Sequence, residues 1–289
     1  MRNYFLFIAL FSLLTISVSA QPSTEVYLFD FEKTATGYEL INSLNVSNNV
    51  GYDNQPSFSK DGESLIFAST RNGQTDILWY DIASGSKKWI TNTPGGEYSP
   101  VMMPDGKHIS AVRLDPDGLQ RLYKYSIESG DSEILISELE VGYYTWFFRT
   151  KIIAFVLGDP ATIQEIDITN DKADLMYQYP GRSIHYIPGT KDYSFIDKSD
   201  SSSWKIMRAV PGNKEWTKEI TITLAGSEDM VWLDMQTILM GMGNKLYYFD
   251  TRDDSKEWKL FADLSQYDLT GITRLATYKN KLSVVVSGK

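Results

Sequence analysis

Beyond the first twenty residues, apolar positions come in short runs bounded by Gly, Pro, Asn, Asp and Ser. Four such runs, at 55–59, 63–69, 76–82 and 87–92, mix β-branched and aromatic residues with only weak polar alternation. Weak alternation is what strands covered on both faces require. Between the runs stand Asp61-Gly62 and Asn72-Gly73, which supply the positive φ that a tight hairpin needs, and Ser84-Gly85 closes the third turn. The pattern predicts four antiparallel strands.

The same order of runs and turns then recurs. Pro56, Asp61 and Gly62 are each followed 44 residues later by Pro100, Asp105 and Gly106. Residues 76–82 match 121–127, and Ser84-Gly85 matches Ser129-Gly130. Four antiparallel strands in each 40–45 residues mark a propeller blade. A third unit is read at 144–148, 152–157, 162–168 and 173–177, and a fourth at 183–187, 193–197, 204–210 and 219–224. The fifth spans 230–234, 238–242, 246–250 and 258–264, after which only two strands follow, at 272–277 and 281–287. Residues 25–31 read as the third strand of a blade, with Asp30 where Asp81 sits, and 38–42 as the fourth. The last blade is therefore expected to be stitched from both ends of the chain, which closes the ring and leaves no open sheet edge. The expected fold class is all-β, a six-bladed β-propeller.

Residues 1–20 belong to a different pattern. Arg2, an apolar run from Tyr4 to Ile16 and small residues up to Ala20 are the parts of a secretory signal peptide. The run is shorter than the ~20 residues of a spanning helix. The organisation read from this is a signal at 1–20 and one propeller domain at 21–289. The product is expected to be periplasmic or secreted, with no membrane span after cleavage. A chain with 0 Cys has no disulfide, no thiolate catalysis, no Cys-ligated zinc and no lipoprotein anchor. Its formal charge of −9 disfavours nucleic acid and anionic membranes as partners.

Pro56-Ser57-Phe58-Ser59-Lys60-Asp61-Gly62, residues 66–73, Asp76-Ile77-Leu78, Asp81 and Ile90-Thr91-Asn92 resemble the repeat of TolB-like six-bladed propellers. The same repeat occurs in the amino-terminal propellers of prolyl-oligopeptidase relatives. The resemblance is specific across 52–106, extends through 142 and rests on strand rhythm afterwards. It implies six blades, export in a Gram-negative-type cell and work as an interaction platform. The peptidase relatives also carry a hydrolase domain with a Gly-x-Ser-x-Gly elbow, and no such pentapeptide occurs in this sequence.

In a propeller, ligands usually bind where the loops entering the inner strands surround the channel mouth. The strand placement puts Asp53, Glu97, Glu140, Arg182, Glu228 and Asp268 at equivalent entries, with Tyr52, Tyr98, Tyr144 and Tyr267 beside them. Five carboxylates around one Arg would form a negative collar able to focus cations or a basic partner. Interleaved aromatics suit sugars or peptides. The plain alternative is that these are solvated acids of an acidic chain. His185 falls on an inner strand with Trp232 at the corresponding place one blade on, either as a channel base or ligand or as a hydrogen-bonded structural His. Asp115-Pro116-Asp117-Gly118 reads as a turn, since it lacks the further ligands of a calcium loop.

The reading is a non-enzymatic, monomeric propeller that binds an envelope protein, peptide or glycan at the mouth. Asp53, Glu97, Tyr98, Glu140, Tyr144, Arg182, His185, Trp232 and Asp268 are its candidate ligand-binding residues. It calls for no cofactor and no metal or catalytic residue. The alternative is a metal-assisted hydrolase or lyase of sugars or lactones using channel carboxylates.

Overall fold

The computed structural model describes residues 22–170 and 172–288, so the expected signal at 1–20 lies outside the described residues. The chain begins with β1 (Thr24–Lys33) and β2 (Tyr38–Asn45). Blade 1 follows as β3 (Asp53–Phe58), β4 (Ser64–Arg71), β5 (Gln74–Asp81) and β6 (Lys87–Trp89). Blade 2 is β7 (Gly96–Met102), β8 (His108–Leu114), β9 (Gln120–Ser126) and β10 (Ser132–Ile136). Blade 3 is β11 (Val141–Phe148), β12 (Lys151–Val156), β13 (Thr162–Asp167) and β14 (Lys172–Gln178). Blade 4 is β15 (Pro180–Tyr186), β16 (Tyr193–Asp197), β17 (Lys205–Val210) and β18 (Asn213–Ile222). Blade 5 is β19 (Met230–Trp232), β20 (Thr237–Met242), β21 (Lys245–Asp250) and β22 (Lys259–Asp263). A 3₁₀ turn, η1 (Leu264–Tyr267), leads to β23 (Arg274–Tyr278) and β24 (Lys281–Ser287).

Five sheets are simple four-stranded meanders, and the sixth runs β2-β1-β24-β23. Both ends of the chain thus share one blade, as the sequence predicts. In this seam Val26 pairs with Val285, Tyr27 with Val284 and Leu28 with Ser283. Lys281 and Asp30 add an ion pair of 2.8 Å at one end of the pairing.

The continuous apolar character of the second strands has a direct cause. Leu65 and Phe67 of β4 pack on Val26, Leu28 and Val285 of the seam blade. Ile66, between them, faces the other way and packs with Ile109, Ala111, Tyr123 and Tyr125 of blade 2. Every blade is a filling between two neighbours, so both faces of its strands are buried and alternation vanishes. Six buried clusters result, one at each interface. Each fully buried aliphatic side chain contributes about 1.5–3 kcal/mol to holding its interface shut.

The turns follow their residues. Asn72 and Gly73 take φ of 52° and 78°, as an Asn-Gly hairpin demands. Gly62, at φ 78°, also lies so close to the seam that a Cβ there would sit 2.0 Å from the Tyr278 ring. Gln55 and Ser99, at φ 53° and 51°, precede the repeated Pro56 and Pro100 and shift the register of β3 and β7. These inner strands are sheet edges on the channel, where a residue without an N–H is tolerated. Ser99 N donates to Gln55 Oε1 at 3.0 Å and Ser57 Oγ to the Pro100 carbonyl at 2.6 Å, so the two bulges brace one another.

Several boundaries differ from the sequence reading. β11 begins at Val141, β15 at Pro180 and β18 at Asn213, β6 stops at Trp89 and β19 at Trp232, and β23 begins at Arg274. The last shift comes from η1, which the Asp263 side chain caps through Ser265 N and which Asp268 ends in a left-handed conformation.

Candidate binding site at the channel mouth

The inner strands, or the residues just before them, bring side chains from all six blades around one cavity. Its charged centre comes from blades 4, 5 and 6. Arg182 of β15 bonds Asp229 through Nε at 3.1 Å and Nη2 at 2.5 Å. Arg274 of β23 bonds the same carboxylate through Nη1 at 2.9 Å and also bonds the Thr273 carbonyl. Burial opposes the charge of Arg182, but the bonds and field of Asp229, with Glu228 beside it, outweigh that and raise its pKa. Glu228 accepts from Arg182 N at 2.7 Å and pairs with Lys198 at 3.4 Å.

The other half of the mouth is aromatic and aliphatic. Tyr52 and Tyr98 meet edge to face at 6.1 Å, and Tyr143 meets Phe155 in the same way at 5.8 Å. Leu114 and Leu157 line the same hollow, and Gln55 and Tyr143 border both it and the arginine cavity. The Arg274 guanidinium lies 5.7 Å from the centre of the Tyr143 ring.

Asp53 and Glu97, expected on the collar, are fully buried behind it. Asp53 accepts from Ser69 Oγ and from Asn49 Nδ2 at 3.3 Å. Burial pushes its carboxyl up to about 6 against those bonds. Glu97 accepts from Thr93 Oγ1, from Thr91 Oγ1 at 3.2 Å and from Tyr125 at 3.4 Å. Burial pushes its carboxyl up to about 7, opposed by Thr93 and aided by the charge of Asp76. These carboxylates hold inter-blade loops together. Glu140 is exposed in the loop before β11, and Val141 occupies the buried slot that Asp53 and Glu97 fill in blades 1 and 2. Asp268 is exposed at the end of η1 and borders a hollow at the seam, alongside Glu25, Asn45 and Ser287. The expected negative collar is therefore not assembled.

Tyr144, His185 and Trp232 line the channel below Arg182. Tyr144 donates to Ser110 Oγ at 2.8 Å, and Trp232 Nε1 donates to Ser194 Oγ at 2.9 Å. Trp146 of blade 3 repeats that indole-to-hydroxyl peg on Ser110 of blade 2, at 2.9 Å. His185 Nε2 lies 3.0 Å from Ser183 Oγ, which also bonds both backbone groups of Met230. Burial pushes the His185 imidazole down to about 4, against the field of Asp229, so it is neutral near pH 7. Asp115 forms the expected turn and is held by Arg113, Arg121 and Tyr123. Arg71 bonds Asp76 and the Thr91 carbonyl in the loop leading to blade 2. Among the described residues no three His, Asp or Glu side chains gather closely enough to hold a metal ion.

Sequence reasoning missed Tyr143, Asp229 and Arg274. Asp229 is one residue past the chosen Glu228, and Arg274 follows it by 45 positions, one more than the 44-residue spacing of the first two repeats.

Fold and mouth together define a six-bladed β-propeller with a polar channel entrance. No protein-family model matches the chain. In structure it is similar to a putative TolB from Agrobacterium tumefaciens, with a TM-score of 0.71 at 12% identity over 93% of this chain and 99% of that one. TolB from Acinetobacter baumannii gives 0.59 at 14% identity over 92% and 64%. An oligogalacturonate lyase in complex with manganese gives 0.57 at 11% identity over 93% and 98%. In sequence, the Tol-Pal system protein TolB of Francisella tularensis is 38% identical over 55 residues, 19% of this chain and 13% of that protein. TolB of Gluconobacter oxydans is 37% identical over 76 residues, 26% of this chain and 15% of that protein. The fold is that of a six-bladed propeller, similar to those of the TolB structures, and the chain spans less than a sixth of the length of the TolB proteins it matches in sequence. No helix among the described residues is long and apolar enough to cross a membrane.

Proposed function

We propose that this protein is a periplasmic or secreted propeller that binds a protein partner through its channel mouth and performs no reaction of its own. The observation carrying this reading is the mouth itself, where an arginine pair, its shared carboxylate and a tyrosine shelf meet at one opening. The TolB relatives are named as proteins of the Tol-Pal system, which supports a protein as the partner. The apolar leader ending at Ala20 supports export. In this reading Tyr98, Tyr144, Arg182, His185 and Trp232 wall the site, while Asp53 and Glu97 brace the loops behind it. A sugar hydrolase or lyase needs a base and converging ligands, and His185 with its low basicity and its bond to Ser183 is poorly suited to that work.

The immobilised protein should capture a defined partner from an envelope extract of its own cell, identified by mass spectrometry. Replacing Tyr98 and Tyr143 together by Ala is expected to lower that capture about fivefold or more while the thermal midpoint holds. Capture equal to that of the unmodified chain would remove the mouth from consideration.

A further inference from the structure

We propose that the segment received by the mouth is an acidic peptide, its carboxylate held by Arg182 and Arg274 and a neighbouring apolar side chain laid on the tyrosine shelf. The inference rests on the preceding reading and adds the chemistry of the ligand.

Charge comes first. Each guanidinium carries five N–H donors in a rigid fork. Asp229 accepts from Arg182 Nε and Nη2 and from Arg274 Nη1, so one carboxylate stands between two cations. Glu228 is already offset by Lys198. One positive charge is therefore left at the mouth, in a chain whose formal charge is −9. The side chains of Arg182 and Arg274 are 32% and 16% exposed, partly shielded from water but open to the cavity. A carboxylate entering there would gain charge-assisted, forked hydrogen bonds at reduced dielectric.

Shape and polarity choose the rest of the ligand. The hollow beside the arginines is walled by Tyr52, Tyr98, Tyr143, Phe155, Leu114 and Leu157. Gln55 and Gln120 on the same wall can bond a peptide backbone, while the leucines and the phenylalanine offer burial to an aliphatic or aromatic side chain. Tyr143 borders both hollows, so the carboxylate and the apolar group must lie close together on one ligand. Such a carboxylate can be an Asp or Glu side chain or the carboxyl end of a chain.

The test selects peptides from a random library on the immobilised full chain, once with internal display and once with free carboxyl ends. Selected sequences are expected to be enriched in Asp and Glu over Lys and Arg by about fivefold or more. Enrichment only in the free-end library assigns the carboxyl terminus, and enrichment in both assigns side chains. Changing the acid of a selected peptide to its amide, or Arg274→Gln in the protein, should each weaken binding about tenfold or more in fluorescence anisotropy. Arg274→Lys, which keeps the charge but loses the fork, should bind with an affinity between those of the parent and Arg274→Gln. Enrichment of basic or uncharged peptides whose binding is lost in Tyr143→Ala overturns the acidic assignment and leaves the mouth standing. Binding indifferent to both Arg274→Gln and Tyr143→Ala overturns the mouth as well.

Discussion

Blades 1 and 2 differ from blades 4 to 6 at the point where each inner strand begins. In the first pair an acid enters the strand and turns inward, so Asp53 and Glu97 vanish between blades among hydroxyl donors. In the second group Arg182, Asp229 and Arg274 stay at the opening and pair with one another across three blades. One arrangement uses charge to fasten loops, the other to present it. The difference lies in the partners: Ser69 is paired with Asp53 across the sheet, whereas Arg182 finds its partner on the next blade. A charge with hydroxyls on its own blade can be buried, and one whose partner is another charge at the rim remains reachable.

Blade 3 offers the largest test of this contrast. There Val141 pairs with Val156 where blade 1 pairs Asp53 with Ser69. Val141 is fully buried among Val112, Leu122 and Ile136. Val141→Asp imitates blade 1 without its hydroxyl partner and should cost about 3–5 kcal/mol in urea unfolding. Adding Val156→Ser supplies the partner and should return about 1 kcal/mol of that loss. A single substitution tolerated without loss would mean that the slot does not need the hydroxyl.

The pH dependence comes next in size. Folded Glu97 keeps its proton up to about 7, above the ordinary 4.5. Between those values the native state binds more protons than the unfolded chain, so stability falls as pH rises through the window. Asp53, raised to about 6 from 3.8, acts in the same direction over a lower range. Glu97→Gln keeps the shape and removes the charge, so it should exceed the parent in stability by roughly 1–3 kcal/mol near pH 8 and lose that advantage near pH 4. Denaturant midpoints measured across the range decide it, and parallel curves for the two proteins would contradict the buried-acid account.

The fold was legible because its signals are local and repeated in phase. Asn72-Gly73, Asp61-Gly62 and Ser84-Gly85 fix turns, and the apolar run from Leu65 to Ala68 can only be a strand covered on both faces. Even the shared blade could be read, since residues 25–31 carry the pattern of a third strand with no first or second before it. The mouth was less legible, because a strand turns alternate residues to opposite faces and an error of one position exchanges them. Glu140 and Val141 exchange roles in this way, and so do Glu228 and Asp229. Asp268 failed for another reason: η1 adds a turn before the sixth inner strand and carries this residue to the seam, while Arg274 takes the entry. Nor does spacing reveal that Thr91, Thr93 and Tyr125 converge on Glu97, since Tyr125 reaches it from a different strand.

At the open end of the contrast the stability effects should be small. Arg274→Gln leaves Asp229 with both bonds from Arg182, so a loss of about 1 kcal/mol in thermal or urea unfolding is expected. Smallest of all is the paired change Glu140→Ala and Asp268→Ala. Both side chains are exposed and neither borders the mouth, so stability should stay within about 0.5 kcal/mol and partner capture should not change. This result separates two ways of being acidic: if the protein merely presented negative charge to a partner, removing two exposed carboxylates would weaken capture, and raising the salt would weaken what remained. If the partner instead brings the acid to Arg182 and Arg274, the same change lowers repulsion slightly, and capture at low salt should hold or rise.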